Sequence, residues 1–286
     1  MNAATGRETA RPLSAPLLKY AGAKNRLAHD IIALFPPRYN TMTYLEPFFG
    51  SGAVFFKKVP GVVETINDSS GDIYNLFYQI RHNPAELARL VAFTPWSRRE
   101  YEESYTRSDS AIENARRFLV RCWFSIGYGS DRKYGWRHKI KTGNGGFASF
   151  TALPDVIIQA SRRLTSQGGN CVQIENTDAL TLIEKYDRPE VLMYLDPPYV
   201  MSTRKGRKIY KCEMADDGHV RLCTLIAKSS AKIVLSGYAN ELYDAYLPRF
   251  NKTAIDTVDE AGNQKREIVW RNFSLQGELF GLEAAS

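Results

Sequence analysis

Val191-Leu192-Met193-Tyr194-Leu195 runs directly into Asp196-Pro197-Pro198-Tyr199. Five consecutive apolar residues read as a strand covered on both faces, the habit of a parallel sheet. The four residues after it then stand at the strand's carboxyl end, where open α/β sheets bind their ligands. Pro197 and Pro198 fix two φ angles and supply no N–H, so the backbone is stiff and its carbonyls stay open to donors. A carboxylate, a carbonyl and a flat ring at one turn can grip an exocyclic amine on a planar heterocycle. Asp-Pro is also a common way to end a strand, so the motif gains weight only from its company.

That company lies upstream. Thr43 to Gly52 reads as a strand, a tight glycine turn and the entry to a helix over Ala53 to Lys58, with Gly50 and Gly52 permitting close approach of backbone to a ligand. Val62 to Ile66 is a second strand, closed by Asn67-Asp68 roughly 20 residues after the turn, where nucleoside-binding α/β folds hold ribose hydroxyls with an acid. Leu17 to Lys24 is an apolar entry into a small-residue turn, followed by a helical pattern through Leu27, Ile31, Ile32 and Leu34 that Pro36-Pro37 stops. Asp72 to Arg81 is helical by the spacing of Ile73, Leu76, Phe77 and Ile80. Val172 to Ile174, Lys232 to Ser236 and Glu267 to Trp270 read as further strands. The fold class is α/β.

From about Trp96 to Ser166 the strand-helix alternation stops. A helix over Ile112 to Phe124 leads into a stretch rich in Gly, Lys and aromatics up to Phe150, and a helix over Leu153 to Leu164 follows. The expected organisation is an N-terminal arm over 1–15, a core made of 16–95 and 167–286, and a mainly helical insertion over 96–166.

The 286 residues carry a net charge of +7, which suits a polyanionic partner. The excess clusters with aromatics at Arg132, Lys133, Tyr134, Trp136, Arg137 and Lys139, and again at Arg204, Lys205, Arg207 and Lys208. Either run alone is as well explained as a solvated face. Tyr134 and Trp136 either meet bases or pack the insertion's own core, and packing is the commoner role for a single ring. Hydrophobic content of 44% with 24% charged residues is that of a soluble globular protein, and no apolar run is long enough to span a membrane. The polar N-terminus has no signal-like core, so a cytoplasmic location is expected. Cys122, Cys171, Cys212 and Cys223 are scattered, with neither metal-ligand nor disulfide-scaffold spacing, and no metal is expected.

Three elements stand in order: Lys19-Tyr20-Ala21-Gly22-Ala23-Lys24, Glu46-Pro47-Phe48-Phe49-Gly50-Ser51-Gly52, and Asp196-Pro197-Pro198-Tyr199. As a set they closely resemble the Dam-type (class alpha) DNA adenine-N6 methyltransferases over about residues 16 to 273. Thr203-Arg204, Tyr210 and Ser236-Gly237-Tyr238 look like phage and prophage members in particular. The resemblance implies a Rossmann-like core dependent on S-adenosylmethionine, an inserted target-recognition subdomain, and double-stranded DNA as partner in a bacterial or phage-infected cell. It implies methyl transfer by direct displacement to the exocyclic amine of a flipped-out adenine. Asp196 and the Pro197 carbonyl would each accept one N–H, and Tyr199 would stack on the base.

Carried over residue by residue, Lys24 and Tyr20 would lie against the cofactor, although many members carry Trp where Tyr20 stands. Gly50 and Gly52 would meet its methionine moiety and Asp68 its ribose. Asp178 falls where the family places a polar residue near the cofactor adenine, in a loose local match that a helix N-cap explains nearly as well. Phosphate contacts are assigned to Arg132, Lys133, Arg137, Lys139, Arg204, Arg207 and Lys208, with Trp136 beside them, and base readout to Ser125 to Phe150. No cysteine follows a proline, so the cytosine-C5 route has no nucleophile here. An RNA adenine methyltransferase and an inactive DNA-binding protein on the same fold are the alternatives, and the motif's intact Asp196, Tyr199, Gly50, Gly52 and Lys24 speak against the second. The biological role, whether restriction-modification partner, phage self-protection or regulation, stays open.

Overall fold

The computed structural model describes residues 12–20, 22–127, 133–138, 146–165, 171–200, 214–258 and 264–275. Its strands form one seven-stranded sheet: β1 (Thr43–Glu46), β2 (Val63–Asn67), β3 (Cys171–Glu175), β4 (Val191–Leu195), β5 (Lys232–Tyr238), β6 (Asn251–Val258) and β7 (Gln264–Arg271). They lie in the order β3-β2-β1-β4-β5-β7-β6. The first five pair in parallel, and β7 runs antiparallel to both its neighbours. Strand order reverses between β1 and β4, so a crevice opens there at the carboxyl ends, below the glycine turn and the Asp196 turn. The expected Rossmann-like α/β core is present.

Side chains alternate between two cores with the period of the pleat. Tyr44, Leu192, Tyr194, Val234 and Val269 face one layer. Leu45, Met193, Leu195, Ile233, Leu235 and Trp270 face the other. The first layer holds α1 (Ala28–Ala33), α2 (Gly71–His82), α3 (Pro84–Ala92), α4 (Arg98–Glu103), α5 (Ala111–Phe124), α6 (Gly146–Thr151) and α7 (Leu153–Leu164), and the second holds α8 (Ala179–Lys185), α9 (Asp216–Ile226) and α10 (Glu241–Tyr246). With helices on both faces, β4 is buried along its whole length, which explains its unbroken apolar run.

The helix expected over Leu153 to Leu164 forms with those bounds, and α5 begins one residue before Ile112, at Ala111, capped by Ser110. Both pack on α2, and α7 also on α3, so these helices complete the core of the first layer. Arg163 on α7 crosses to Glu64 on β2, donating to Oε2 at 2.5 Å and to Oε1 at 2.8 Å, and Lys58 bonds the same carboxylate.

One local expectation fails, and one strand was not foreseen. Ala53 to Lys58 forms a run of turns, with α-type bonds only from Phe56 N to Gly52 O and from Lys58 N to Val54 O. Tertiary demands override the helical pattern there: Phe55 and Phe56 turn into an aromatic cluster with Phe49 and Phe77, Lys58 is drawn to Glu64, and Pro60 follows. The strand β6 was not legible, because an edge strand with water on one side needs no apolar run, and its eight-residue ladder with β7 holds it.

Candidate active site

The crevice contains an open cleft. Its walls join all three motifs: Tyr20, Gly22 and Lys24 from the first, Glu46 to Ser51 from the second, and Asp196 and Pro198 from the third, together with Asp68. Gly50 has φ 51°, a conformation that favours glycine, and a Cβ there would meet only the Tyr20 ring, at 3.7 Å. Asp68 accepts from Gly50 N at 2.8 Å and from Ser70 N at 2.9 Å, which ties the end of β2 to the glycine turn.

Not every expected residue lines this space. Gly52 is set by the core instead: its φ is 67°, and a Cβ would lie 2.5 Å from the Phe49 ring and 2.9 Å from Phe56. Asp178 caps α8, accepting from Thr181 N at 3.0 Å, and is absent from the cavity wall. Pro197 and Tyr199 instead face a closed cleft lined by Val200, Ser236, Gly237, Tyr238, Asn240 and Tyr243. The Asp196 turn is therefore two-sided. Tyr199 stacks on Tyr238, ring centroids 4.2 Å apart and 11° from parallel.

Lys24 and Asp196, 172 residues apart in the chain, meet at 2.7 Å. Lys24 also donates to the Tyr199 hydroxyl at 3.0 Å and to Gly22 O at 3.2 Å, and stands 3.3 Å from Glu267 Oε1. Burial disfavours the ammonium, but Asp196, Tyr199 and Glu267 together hold its pKa well above the ordinary lysine value, so it stays charged. Ser236 donates to Asp196 Oδ1 at 3.3 Å and lies 2.9 Å from the Tyr194 hydroxyl. Both described donors to Asp196 use Oδ1, leaving Oδ2 to accept from a ligand.

Glu46, Ser236, Tyr238 and Glu267 are site residues that residue-by-residue reading missed. Glu46 carried a signal, since it ends β1 inside the second motif. Glu267 carried none.

A family model described as D12 class N6 adenine-specific DNA methyltransferase matches residues 20–260. The chain belongs to this class. Type II methyltransferase M1.LlaDCHI of Lactococcus lactis subsp. cremoris is 23% identical over 261 residues, 86% of this chain and 89% of that protein. DNA adenine methylase of Haemophilus influenzae is 26% identical over 196 residues, 64% of this chain and 63% of that protein. Among solved structures, the rRNA methyltransferase AviRa from Streptomyces viridochromogenes aligns with a TM-score of 0.43 at 15% identity, covering 90% of each chain. The activity expected from the motifs, adenine-specific DNA methylation, is that of the family.

The methyltransferase's expected DNA contacts fall in two groups. Arg132, Lys139, Arg204, Arg207 and Lys208 lie outside the described residues. Ser125 and Trp136 form an isolated antiparallel bridge after α5, and Arg137 fixes it by donating Nε and Nη2 to Ser125 O at 3.2 and 3.0 Å. Trp136 is half-buried beneath the Arg98 guanidinium, 4.9 Å from its ring, and packs against the core. Lys133 and Tyr134 are exposed on this bridge segment. Among the described residues no cluster of three His, Cys, Asp or Glu could hold a metal ion, and no helix is long and apolar enough to cross a membrane.

The acidic lining makes the methyltransferase's stability depend on pH. Burial pushes the Glu46 carboxyl up to about 8 against the opposing Tyr44 hydrogen bond and Lys58, and pushes Asp68 up to about 6 against its two backbone donors. Burial also raises Asp196 and Glu267. Glu46 and Asp68 keep a proton in the folded chain that the unfolded chain has already lost, so stability falls as pH rises between the ordinary carboxylate range and about 8. The cofactor-free protein is expected to melt at a lower temperature at pH 8 than at pH 6. Glu46 contributes at most about 2 kcal/mol of this, on the order of 5 °C. Calorimetric melts should show Glu46→Gln flattening the slope, and a melting temperature that climbs over this interval would contradict the assignment.

Proposed function

We propose that the methyltransferase binds S-adenosylmethionine in the open cleft and methylates an adenine held at Asp196-Pro197-Pro198-Tyr199. The observation that carries this reading is the Lys24–Asp196 pair, because it joins the wall shared by all three motifs to the turn that would grip the amine. The residues present fit the cofactor. Gly50 leaves the backbone uncovered beside the Tyr20 ring, Asp68 is an acceptor for ribose hydroxyls, and the Asp196 carboxylate on the same wall suits a cation.

When bound, S-adenosylmethionine supplies a methyl group activated by its sulfonium, which the adenine amine takes by direct displacement. The chain's own residues must make that amine a nucleophile, since its lone pair is delocalised into the ring. Asp196 Oδ2 and the Pro197 carbonyl each accept one N–H and draw the nitrogen toward tetrahedral geometry. Lys24 and Ser236 hold the carboxylate from its other oxygen, which keeps it oriented for that contact. Tyr199 offers its face to the base, and Tyr238 stands behind it. In a duplex the target is inside the stack, so the adenine must be flipped out, at a cost of roughly a few kcal/mol that stacking in the pocket offsets. Double-stranded DNA is the substrate we assign, with the basic runs Arg132 to Lys139 and Arg204 to Lys208 as its expected phosphate contacts.

The test is to express the chain in cells lacking adenine methylation and sequence their DNA with detection of modified bases. N6-methyladenine at a fixed sequence is expected, and purified protein should transfer labelled methyl from S-adenosylmethionine to duplexes bearing that sequence. DNA that stays unmodified in both assays would overturn the reading.

A further inference from the structure

Glu267 has no part in the chemistry just described, yet it is buried to 1% exposure beside the groups that carry it. It lies on β7 opposite Tyr238 of β5, and its Oε1 stands 3.3 Å from the Lys24 ammonium. That contact is ionic, since Oε1 makes no hydrogen bond of good geometry. One ammonium thus serves two carboxylates, Asp196 at 2.7 Å and Glu267 at 3.3 Å.

Methyl transfer gives this arrangement a task. The amine's lone pair forms the new N–C bond and the electrons of the broken S–C bond stay on sulfur, so the nitrogen is left with one proton too many. The oxygen nearest that nitrogen belongs to Asp196 in the site reading above, on which this inference rests. A carboxylate fully neutralised by its own lysine is a weak base, whereas one that shares the lysine with a second carboxylate keeps more negative charge. We propose that Glu267 is a positioning residue for the reaction, drawing the Lys24 charge away from Asp196 so that Asp196 accepts the proton the methylated amine loses.

The other groups that act on Asp196 do not substitute for it. Lys24 is the cation, Glu46 at the end of β1 keeps its own proton up to about 8, and Tyr194 and Tyr243, whose hydroxyls burial pushes up, are neutral at working pH. Ser236 donates without charge. Burial raises the proton affinity of Glu267, and the Asp196 charge adds to this against the opposing Lys24.

Glu267→Gln keeps size and polarity and removes the charge. Single-turnover methylation at neutral pH is expected to fall by about 3- to 10-fold. The acid limb of the pH–rate profile should move down by about one unit, as Lys24 then serves Asp196 alone. Calorimetry should find the S-adenosylmethionine dissociation constant of the variant within about threefold of the unaltered chain, because Glu267 is not in the cavity wall. Glu267→Asp, which restores charge, should return the acid limb toward its original position. An unmoved acid limb, or a rate loss matched by equal losses in cofactor affinity and melting temperature, would reduce Glu267 to a structural anchor and overturn the proposal. If the unaltered chain makes no N6-methyladenine, the site reading falls and this inference with it; if it does and Glu267→Gln matches it at every pH, only the inference falls.

Discussion

Asp196→Ala is expected to lower methyl transfer to adenine by on the order of 10³-fold or more while leaving a folded protein that still binds S-adenosylmethionine. The substitution removes the acceptor for one amine proton and the group that takes it up, so both the activation of the nitrogen and the fate of its proton are lost. Removing one partner of a buried ion pair usually costs about 3–5 kcal/mol, because the other charge is left alone. Here Lys24 keeps Glu267 at 3.3 Å and the Tyr199 hydroxyl at 3.0 Å, so the cation is not orphaned. The stability loss should therefore stay near the ordinary range of about 1–3 kcal/mol. A labelled-methyl assay on duplex DNA measures the first effect, and calorimetric melting and cofactor titration measure the others. Undiminished turnover would defeat the mechanism. Loss of cofactor binding in step with turnover would show that Asp196 serves the cavity and not the amine.

Glu64→Ala is expected to be the most destabilising single change at a buried charge, by about 3–5 kcal/mol, or on the order of 10 °C or more in melting temperature. Glu64 on β2 is fully buried and receives Arg163 through two nitrogens, Lys58, and Gly61 N at 3.0 Å. Burial pushes its carboxyl up, but Lys58 and the Arg163 guanidinium hold it below the usual carboxylate range. Its stabilisation is therefore present above the unfolded carboxylate's pKa and is lost as pH falls through the folded value. Alanine would leave two cations facing the Phe55 and Tyr44 rings, at 3.8 Å and 4.0 Å from their centroids, with no anion between them. Thermal melts check the loss. Replacing Glu64, Lys58 and Arg163 together by apolar residues of similar volume should recover most of it, since the penalty comes from unpaired charge and not from missing packing. A shift under about 3 °C for Glu64→Ala would mean that water reaches the cluster. Methylation below the lowered melting point should survive, because none of the three residues lines the cavity.

Much of this protein is written along its chain at short range. β4 is legible as a double-covered strand because apolarity is a property of each residue, and α7 because its apolar spacing repeats every turn. The order of the three motifs led to the family and to Lys24, Gly50, Asp68 and Asp196 as members of one site, since each motif carries its own turn or strand end. What a residue touches across the sheet has no local signature. Gly52 looks like a ligand-facing glycine until the Phe49 and Phe56 rings are seen to fill the space its missing Cβ would occupy. Asp178 looks like an adenine contact until it is seen capping α8. β6 carries no apolar run, because its pairing with β7 replaces the burial that would have announced it. Glu267 reads as one more charge on a strand until β7 inserts beside β5 and brings it to Lys24. The sequence by itself determined the α/β core and the amine-gripping turn, because backbone periodicity and turn chemistry are local. Which carboxylates share the Lys24 ammonium emerges only from the three-dimensional packing, because Coulomb interaction and desolvation depend on distances that sequence separation does not contain.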